Sequence, residues 1–248
     1  MNVTSMFKRP KGSRVLVIAP HPDDEIIGCG GSILFHKKRG DKIWIIYMCK
    51  GNAYDQPSNN SRIRKKESEE IAKLLELKDV IYLNHDDFSI TTGGEETLEL
   101  QTLIIKINPD IIYLPSPLDQ HIDHRTTFQI FTKIRLNSNP NCLIYEVMTP
   151  ITYNYLFPID CYIEKKMELL RIYNNQLQIR RYDSISNLLN LYRGSLYPAK
   201  SCKFAEAFLW ISFNDLINWN KAMNSFENFW NNKLGISWDN EYLKNKSC

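Results

Sequence analysis

The sequence predicts a three-layer, Rossmann-like α/β fold: a mostly parallel sheet between helices, with an irregular C-terminal part walling a pocket. Three observations carry this. Short apolar runs rich in Ile and Val alternate with amphipathic stretches through the N-terminal half. An apolar share of 43% in 248 residues is ample for a buried core. No repeat, low-complexity tract or Gly/Ser-rich linker interrupts the pattern.

The elements follow in order. Arg14–Ala19 (RVLVIA) reads as a buried strand ending at Pro20, and Gly31–Lys38 as a helix stopped by Gly40. Lys42–Cys49 is a second strand. Ser61–Leu77 is a long helix with Ile63, Ile71, Leu74 and Leu75 on its apolar side. Val80–Leu83 is a third strand, Thr97–Ile107 a helix ended by Asn108-Pro109, and Ile111–Leu114 a fourth strand. Thr126–Leu136 is a helix and Cys142–Met148 a fifth strand. Beyond Thr149 the pattern is less regular and aromatic-rich. It gives a helix at Lys165–Gln178, a strand at Phe208–Phe213 and a terminal helix at Asn214–Asn232. The chain reads as one domain over 1–248, with its core at about 14–213 and the terminal helix at about 214–232.

Charge and cysteines narrow the class. A net charge of +3 and a pI near 8.4 are too mild for a nucleic-acid binder. The six cysteines form no C-x-x-C pair. Cys49 and Cys161 read as small core residues, and Cys29 as small filling. The N-terminal segment lacks a signal peptide's apolar stretch, and no run of about 18 apolar residues occurs. The C-terminus carries no prenylation box. These features read as a cytoplasmic protein that does not integrate into a membrane.

Two loops concentrate chemistry. After the first strand, APHPDDEIIGCGG packs His21, Asp23, Asp24 and Glu25 together. Adjacent carboxylates repel one another, and a cation relieves that. Imidazole with carboxylate suits zinc, and also iron(II) or manganese. Pro20 and Pro22 pre-set the direction of His21, while Gly28, Gly30 and Gly31 read as letting the chain turn tightly against a ligand. A solvated acidic helix cap is the plain rival. A dinucleotide loop is another, but Ile33 stands where its third glycine belongs. After the fourth strand, LPSPLDQHIDHRTTF gathers Asp119, His121, Asp123 and His124 before a helix that opens at Arg125 or Thr126. In a doubly wound sheet of order 3-2-1-4-5, strands one and four are neighbours and their loops face one crevice. His21, Asp24 and a histidine of the second loop then form a three-ligand site with a position left for water. Asp123 reads as orienting a neighbouring histidine.

The string A-P-H-P-D-D-E, then G-C-G-G, with H-I-D-H about a hundred residues later, resembles the PIG-L/LmbE family of zinc-dependent de-N-acetylases. Weaker matches are Gly51, the R-x-x-E of Arg64 and Glu67, Asp86-Asp87, Lys166, Gln176 and Ala205-Glu206-Ala207-Phe208. Two departures are Glu76-Leu77 for the usual Leu-Gly and Asn175-Gln176 for Ser-Gln. The resemblance implies His21, Asp24 and His124 as Zn2+ ligands, Asp23 as general base, His121 as oxyanion stabiliser and Asp123 as the holder of a histidine. It implies Arg64 as a substrate contact. Asp86, Asp87 and Gln176 join it as candidate polar contacts near the crevice. Tyr153, Tyr155 and Tyr192 are candidates for an apolar wall.

The implied activity is removal of an acetyl group from an N-acetylglucosamine-type sugar substituted at its anomeric position, through zinc-bound water. Hydrolysis of another small N-acyl amide is the enzymatic alternative. A catalytically inactive sugar-binding protein is the non-enzymatic one, and the presence of Asp23 and all three ligands speaks against it. The expected partner is a soluble small molecule. Oligomeric state is left open. His36 reads as part of a solvated face, His85 as a weaker candidate for the pocket rim, and Trp210, Trp219, Trp230 and Trp238 as packing residues.

Overall fold

The computed structural model describes residues 11–52 and 57–220. Its sheet is built from β1 (Arg14–Ala19), β2 (Lys42–Cys49), β3 (Asp79–His85), β4 (Ile111–Pro115), β5 (Asn141–Tyr145), β6 (Tyr155–Pro158) and β7 (Ala205–Ser212). The order is β3-β2-β1-β4-β5-β7-β6. The first five strands are parallel, and β7 and β6 extend the sheet antiparallel. Strand alternation divides the core between two faces. Val15, Val17 and Tyr47 join one cluster, Leu16, Ile18 and Ile46 the other.

The helices are α1 (Asp24–Arg39), α2 (Pro57–Leu75), α3 (Gly94–Ile107), α4 (Ile122–Lys133), α5 (Ile163–Ile172), α6 (Asn174–Ile179) and α7 (Tyr182–Ser195). Leu100 and Ile104 of α3 and Phe128 and Phe131 of α4 cover the Leu16/Ile18 face. Ile26 and Ile33 of α1 and Leu169 and Leu170 of α5 cover the Val15/Val17 face. No described helix is long and apolar enough to cross a membrane.

Several expectations need correction. Helix α1 begins at Asp24 and α4 at Ile122, so the acidic and histidine motifs lie on first helical turns rather than wholly in loops. The predicted helix at Lys165–Gln178 is two helices, broken at Tyr173 (φ −73°, ψ 49°). That break turns the Tyr173 hydroxyl onto Glu25 at 2.5 Å and brings it within 3.1 Å of the Tyr47 hydroxyl. Strand β6 and helix α7 lie in the stretch whose periodicity gave no element. The chain is helical from 213 to 220, and the rest of the predicted terminal helix, with Trp230 and Trp238, lies outside the described residues.

The glycines of the first motif serve packing inside α1. A Cβ on Gly28 would lie 2.3 Å from the Tyr145 ring, and one on Gly31 would lie 2.5 Å from Ile159. Helix α1 is kinked at Cys29 (φ −143°, ψ 23°). Past the kink, the N–H groups of Gly31 and Ser32 donate to Glu206 at 2.7 and 2.8 Å. Before it, the Ile27 carbonyl accepts from Lys166 Nζ at 2.8 Å. Lys166 and Glu206 pair at 2.8 Å with both side chains fully buried. An ion pair thus satisfies backbone groups at the break, a recognised cause of helix kinks.

His36 is buried, with Nδ1 2.7 Å from Asp41 and Nε2 3.0 Å from the Tyr113 hydroxyl, so it is not on a solvated face. Cys161 is exposed, not core. Trp219 is 37% exposed, whereas Trp210 is partly buried and donates its indole N–H to Asn141.

Candidate active site

Strand β1 lies between β2 and β4, so the β1–α1 and β4–α4 connections meet at the carboxyl ends where strand order reverses. They form the floor of a cavity of about 580 Å3. His21, Asp23 and Asp24 come from the first connection, His121 and His124 from the second. A more open depression of about 740 Å3 runs beside α7 and holds none of these groups.

Asp24 Oδ2 lies 3.2 Å from His21 Nδ1 and 3.2 Å from His124 Nε2. The other nitrogen of each ring faces a further carboxylate. His21 Nε2 is 3.0 Å from Asp123 Oδ2, and His124 Nδ1 is 3.4 Å from Asp119 Oδ1. All five residues are buried. This is the carboxylate–histidine arrangement that orients metal-ligating imidazoles. Burial alone would depress His21, but its bonds to Asp123 and Asp24 hold its pKa well above the ordinary histidine value. Burial likewise opposes the charge on His124, yet Asp24 and Asp119 raise it to about 9. Asp24 resists burial through His124 and His21 and stays well below the usual carboxylate range. The pocket therefore favours positive charge where two imidazole nitrogens and one carboxylate oxygen converge. Two imidazoles and a carboxylate also suit zinc by ligand type. The three histidines alone bring one ligand atom each within 4.8 Å of one another, as do His21, Cys49 and Asp123.

Asp23 is the N-cap of α1, with φ 124° and ψ −32°, a region that non-glycine residues rarely adopt. Its N–H donates to Glu25 Oε2 at 3.1 Å, and its carbonyl accepts from Ile26 and Ile27. Glu25 is itself buried and held by Tyr173. Burial raises the Asp23 carboxyl to about 7, although the neighbouring Arg64 pulls the other way. Arg64 Nη2 donates to Asp23 Oδ1 at 3.0 Å and to the Pro22 carbonyl at 2.6 Å.

His121 caps α4, and its Nδ1 accepts the Asp123 N–H at 3.2 Å. Burial, together with the positive charge of His21 and His124, lowers its pKa to about 4. A neutral ring accepting through Nδ1 carries its proton on Nε2, so His121 is a donor there.

The remaining residues divide. Asp87 and Gln176 line the cavity. Asp86 does not; it is exposed and bonded to Lys50 and Asn52. Tyr153 and Tyr192 flank Arg193, and Tyr155 is buried in the sheet core, so none of these three walls the cavity. The aromatic lining is Phe88 and Tyr182 instead. Sequence reasoning gave no role to Asp119, whose place in the second motif was the available signal. Phe88 carried no signal of its own.

The PIG-L family model, described as GlcNAc-PI de-N-acetylase, matches residues 16–135. The "uncharacterized deacetylase YaiS" of Escherichia coli (strain K12) is 29% identical over 154 residues, 60% of this chain and 80% of that protein. The diacetylchitobiose deacetylase of Thermococcus kodakarensis is 32% identical over 123 residues, 45% of either chain. Among solved structures, an N,N'-diacetylchitobiose deacetylase from Pyrococcus horikoshii superposes with a TM-score of 0.73 at 23% identity, covering 84% of this chain and 88% of that one. The last is a likeness of fold. The matched residues run from β1 through α4 and carry both histidine-and-carboxylate connections. Over residues 16–135 the chain matches the PIG-L family, and the relatives it matches are named as deacetylases.

Proposed function

We propose that this protein is a metal-dependent hydrolase that removes an acetyl group from an N-acetylated amino sugar, of the N-acetylglucosamine type and substituted at its anomeric carbon. One observation carries the reading: a buried carboxylate with a pKa raised to about 7, Asp23, stands next in sequence to Asp24, the carboxylate shared by His21 and His124, in one cavity. The names of the relatives, which are deacetylases and in one case act on an acetylated chitobiose, support the acetyl group and the sugar.

His21, Asp24 and His124 would hold the metal, with zinc the first choice and iron(II) or manganese compatible. Asp24 takes the third place rather than His121 because its Oδ2 is 3.2 Å from both rings. A divalent ion held there supplies polarisation of the amide carbonyl and a more acidic water. Asp23 accepts the proton of the attacking water, and a pKa near the working pH suits a group that must take a proton and give it back. Arg64 fixes Oδ1 of that carboxylate. His121 Nε2–H donates to the oxygen on which negative charge grows. Asp23 then delivers the proton to the departing nitrogen, which leaves as the amine of the deacetylated sugar.

The test is Asp23→Asn. It should retain metal, measured by elemental analysis, while kcat falls by about 10²–10⁴. Near wild-type turnover by the mutant would remove Asp23 from this role. Amine release from N-acetylglucosamine, its glycosides, its nucleotide-linked form and N-acetylated amino acids tests the substrate. Turnover of the amino acids alone would leave an amidase but not a sugar deacetylase.

A further inference from the structure

Phe88 stands three residues past β3 with φ 63°, a left-handed backbone that a bulky aromatic residue adopts only at a cost. The residue is 52% exposed and lines the cavity. Asn or Gly would meet the backbone requirement more cheaply and expose no apolar ring. The conformation is held from two sides. The Phe88 N–H donates to Asp123 Oδ2 at 2.9 Å, the oxygen that also lies 3.0 Å from His21 Nε2. The Phe88 ring lies nearly parallel to that of His121, with centroids 4.9 Å apart and planes at 18°. A strained segment thus keeps an apolar ring beside the histidine expected to face the reacting oxygen. Ile179, 53% exposed, and Met148 line the same cavity, so its charged floor has apolar walls.

We propose that Phe88 is a specificity-determining residue whose ring is the platform against which the apolar C–H face of the substrate's pyranose packs, favouring cyclic N-acetyl sugars over acyclic N-acetyl amides. This rests on the sugar-deacetylase reading above. Aromatic rings with a well-placed polar neighbour are the ordinary means by which a pocket orients such a ligand. Here the polar neighbour is the stacked His121.

The experiment compares the metal-loaded wild type with Phe88→Ala, Phe88→Tyr and Phe88→Asn. Asn tolerates the left-handed backbone and covers the case in which the alanine variant does not fold. Two substrates are used: the methyl glycoside of N-acetylglucosamine, and N-acetylethanolamine, which has the same amide and no ring. Phe88→Ala and Phe88→Asn should raise KM for the glycoside roughly tenfold with kcat within about twofold, and Phe88→Tyr should restore it. KM for N-acetylethanolamine should not move. Binding of the product, methyl glucosaminide, followed by calorimetry without turnover, should weaken by the same factor. An unchanged glycoside KM and product affinity would overturn the proposal. So would an equal fall of kcat on both substrates, which would mark Phe88 as a support for His121 alone. A wild type that cleaves N-acetylethanolamine and no sugar would defeat the sugar reading itself, an outcome visible before any variant is made.

Discussion

Asp23 is placed by strain and tuned by burial. Its φ of 124° is kept by the Glu25 carboxylate on its N–H and by the α1 amides on its carbonyl. Burial lifts its pKa, and Arg64 holds part of that rise in check. The sign of Arg64's effect is testable. The base proposed here works deprotonated, so activity is lost as pH falls through its pKa. Removing the cation raises that pKa further and moves the acid limb of kcat/KM upward. Arg64→Met should shift the limb to higher pH by roughly one unit or more. A uniform fall in activity with an unmoved limb would make Arg64 a substrate contact instead. His36 gives a second pH effect, on stability. Burial, foremost, lowers its pKa against the pull of Asp41, so the unfolded chain takes the proton more readily. The stability that His36 contributes is therefore lost as pH falls below about 6.5. His36→Gln should flatten that part of a urea-denaturation series, and an unchanged slope would count against the assignment.

At the scale of the element, α1 shows why a glycine-rich string follows the acidic motif. The kink at Cys29 and the close approach of Tyr145 and Ile159 leave no room for a Cβ at Gly28 or Gly31. Tyr145 cannot easily give way, because its hydroxyl donates to the Ile18 carbonyl at 2.9 Å. Gly28→Ala should therefore destabilise by about 1–3 kcal/mol in urea unfolding, although alanine gains about 1 kcal/mol in helix propensity. Gly40→Ala is the contrast. Its φ is 76° with open space around it, so only a backbone penalty of about 1–2 kcal/mol applies. A stabilised Gly28→Ala would show that packing is not what requires glycine there.

For the molecule as a whole, the C-terminal part is fastened to the parallel sheet by buried charge as well as by apolar contact. Lys166 of α5 reaches Glu206 of β7, Asn190 of α7 and the Ile27 carbonyl of α1. This holds in place the segment that carries Gln176, Ile179 and Tyr182 to the cavity. Lys166→Met should cost about 3–5 kcal/mol, because Glu206 then keeps a buried charge without its cation. Denaturant titration measures this, and a loss below about 1 kcal/mol would mean that the helix amides alone hold Glu206.

The strands β1, β2 and β4, the reversal beside β1 and the two loops that meet there could all be read from the sequence. Buried parallel strands are continuous apolar runs, and a local cluster such as His21, Asp23 and Asp24 or His121, Asp123 and His124 announces itself by spacing. Strand β6, helix α7 and the break at Tyr173 could not, because their pattern is set by what they pack against: β7, the Lys166 network and Glu25. The same limit applies within the site. The Asp123 carboxylate facing His21, the Arg64–Asp23 pair and the ring of Phe88 over His121 are contacts between residues far apart in the chain. Composition and spacing determined the donor types and the end of the sheet at which they gather. Only the tertiary structure decided their partners, because burial and a charge a few ångströms away set a side chain's protonation and direction, and neither distance is written along the sequence.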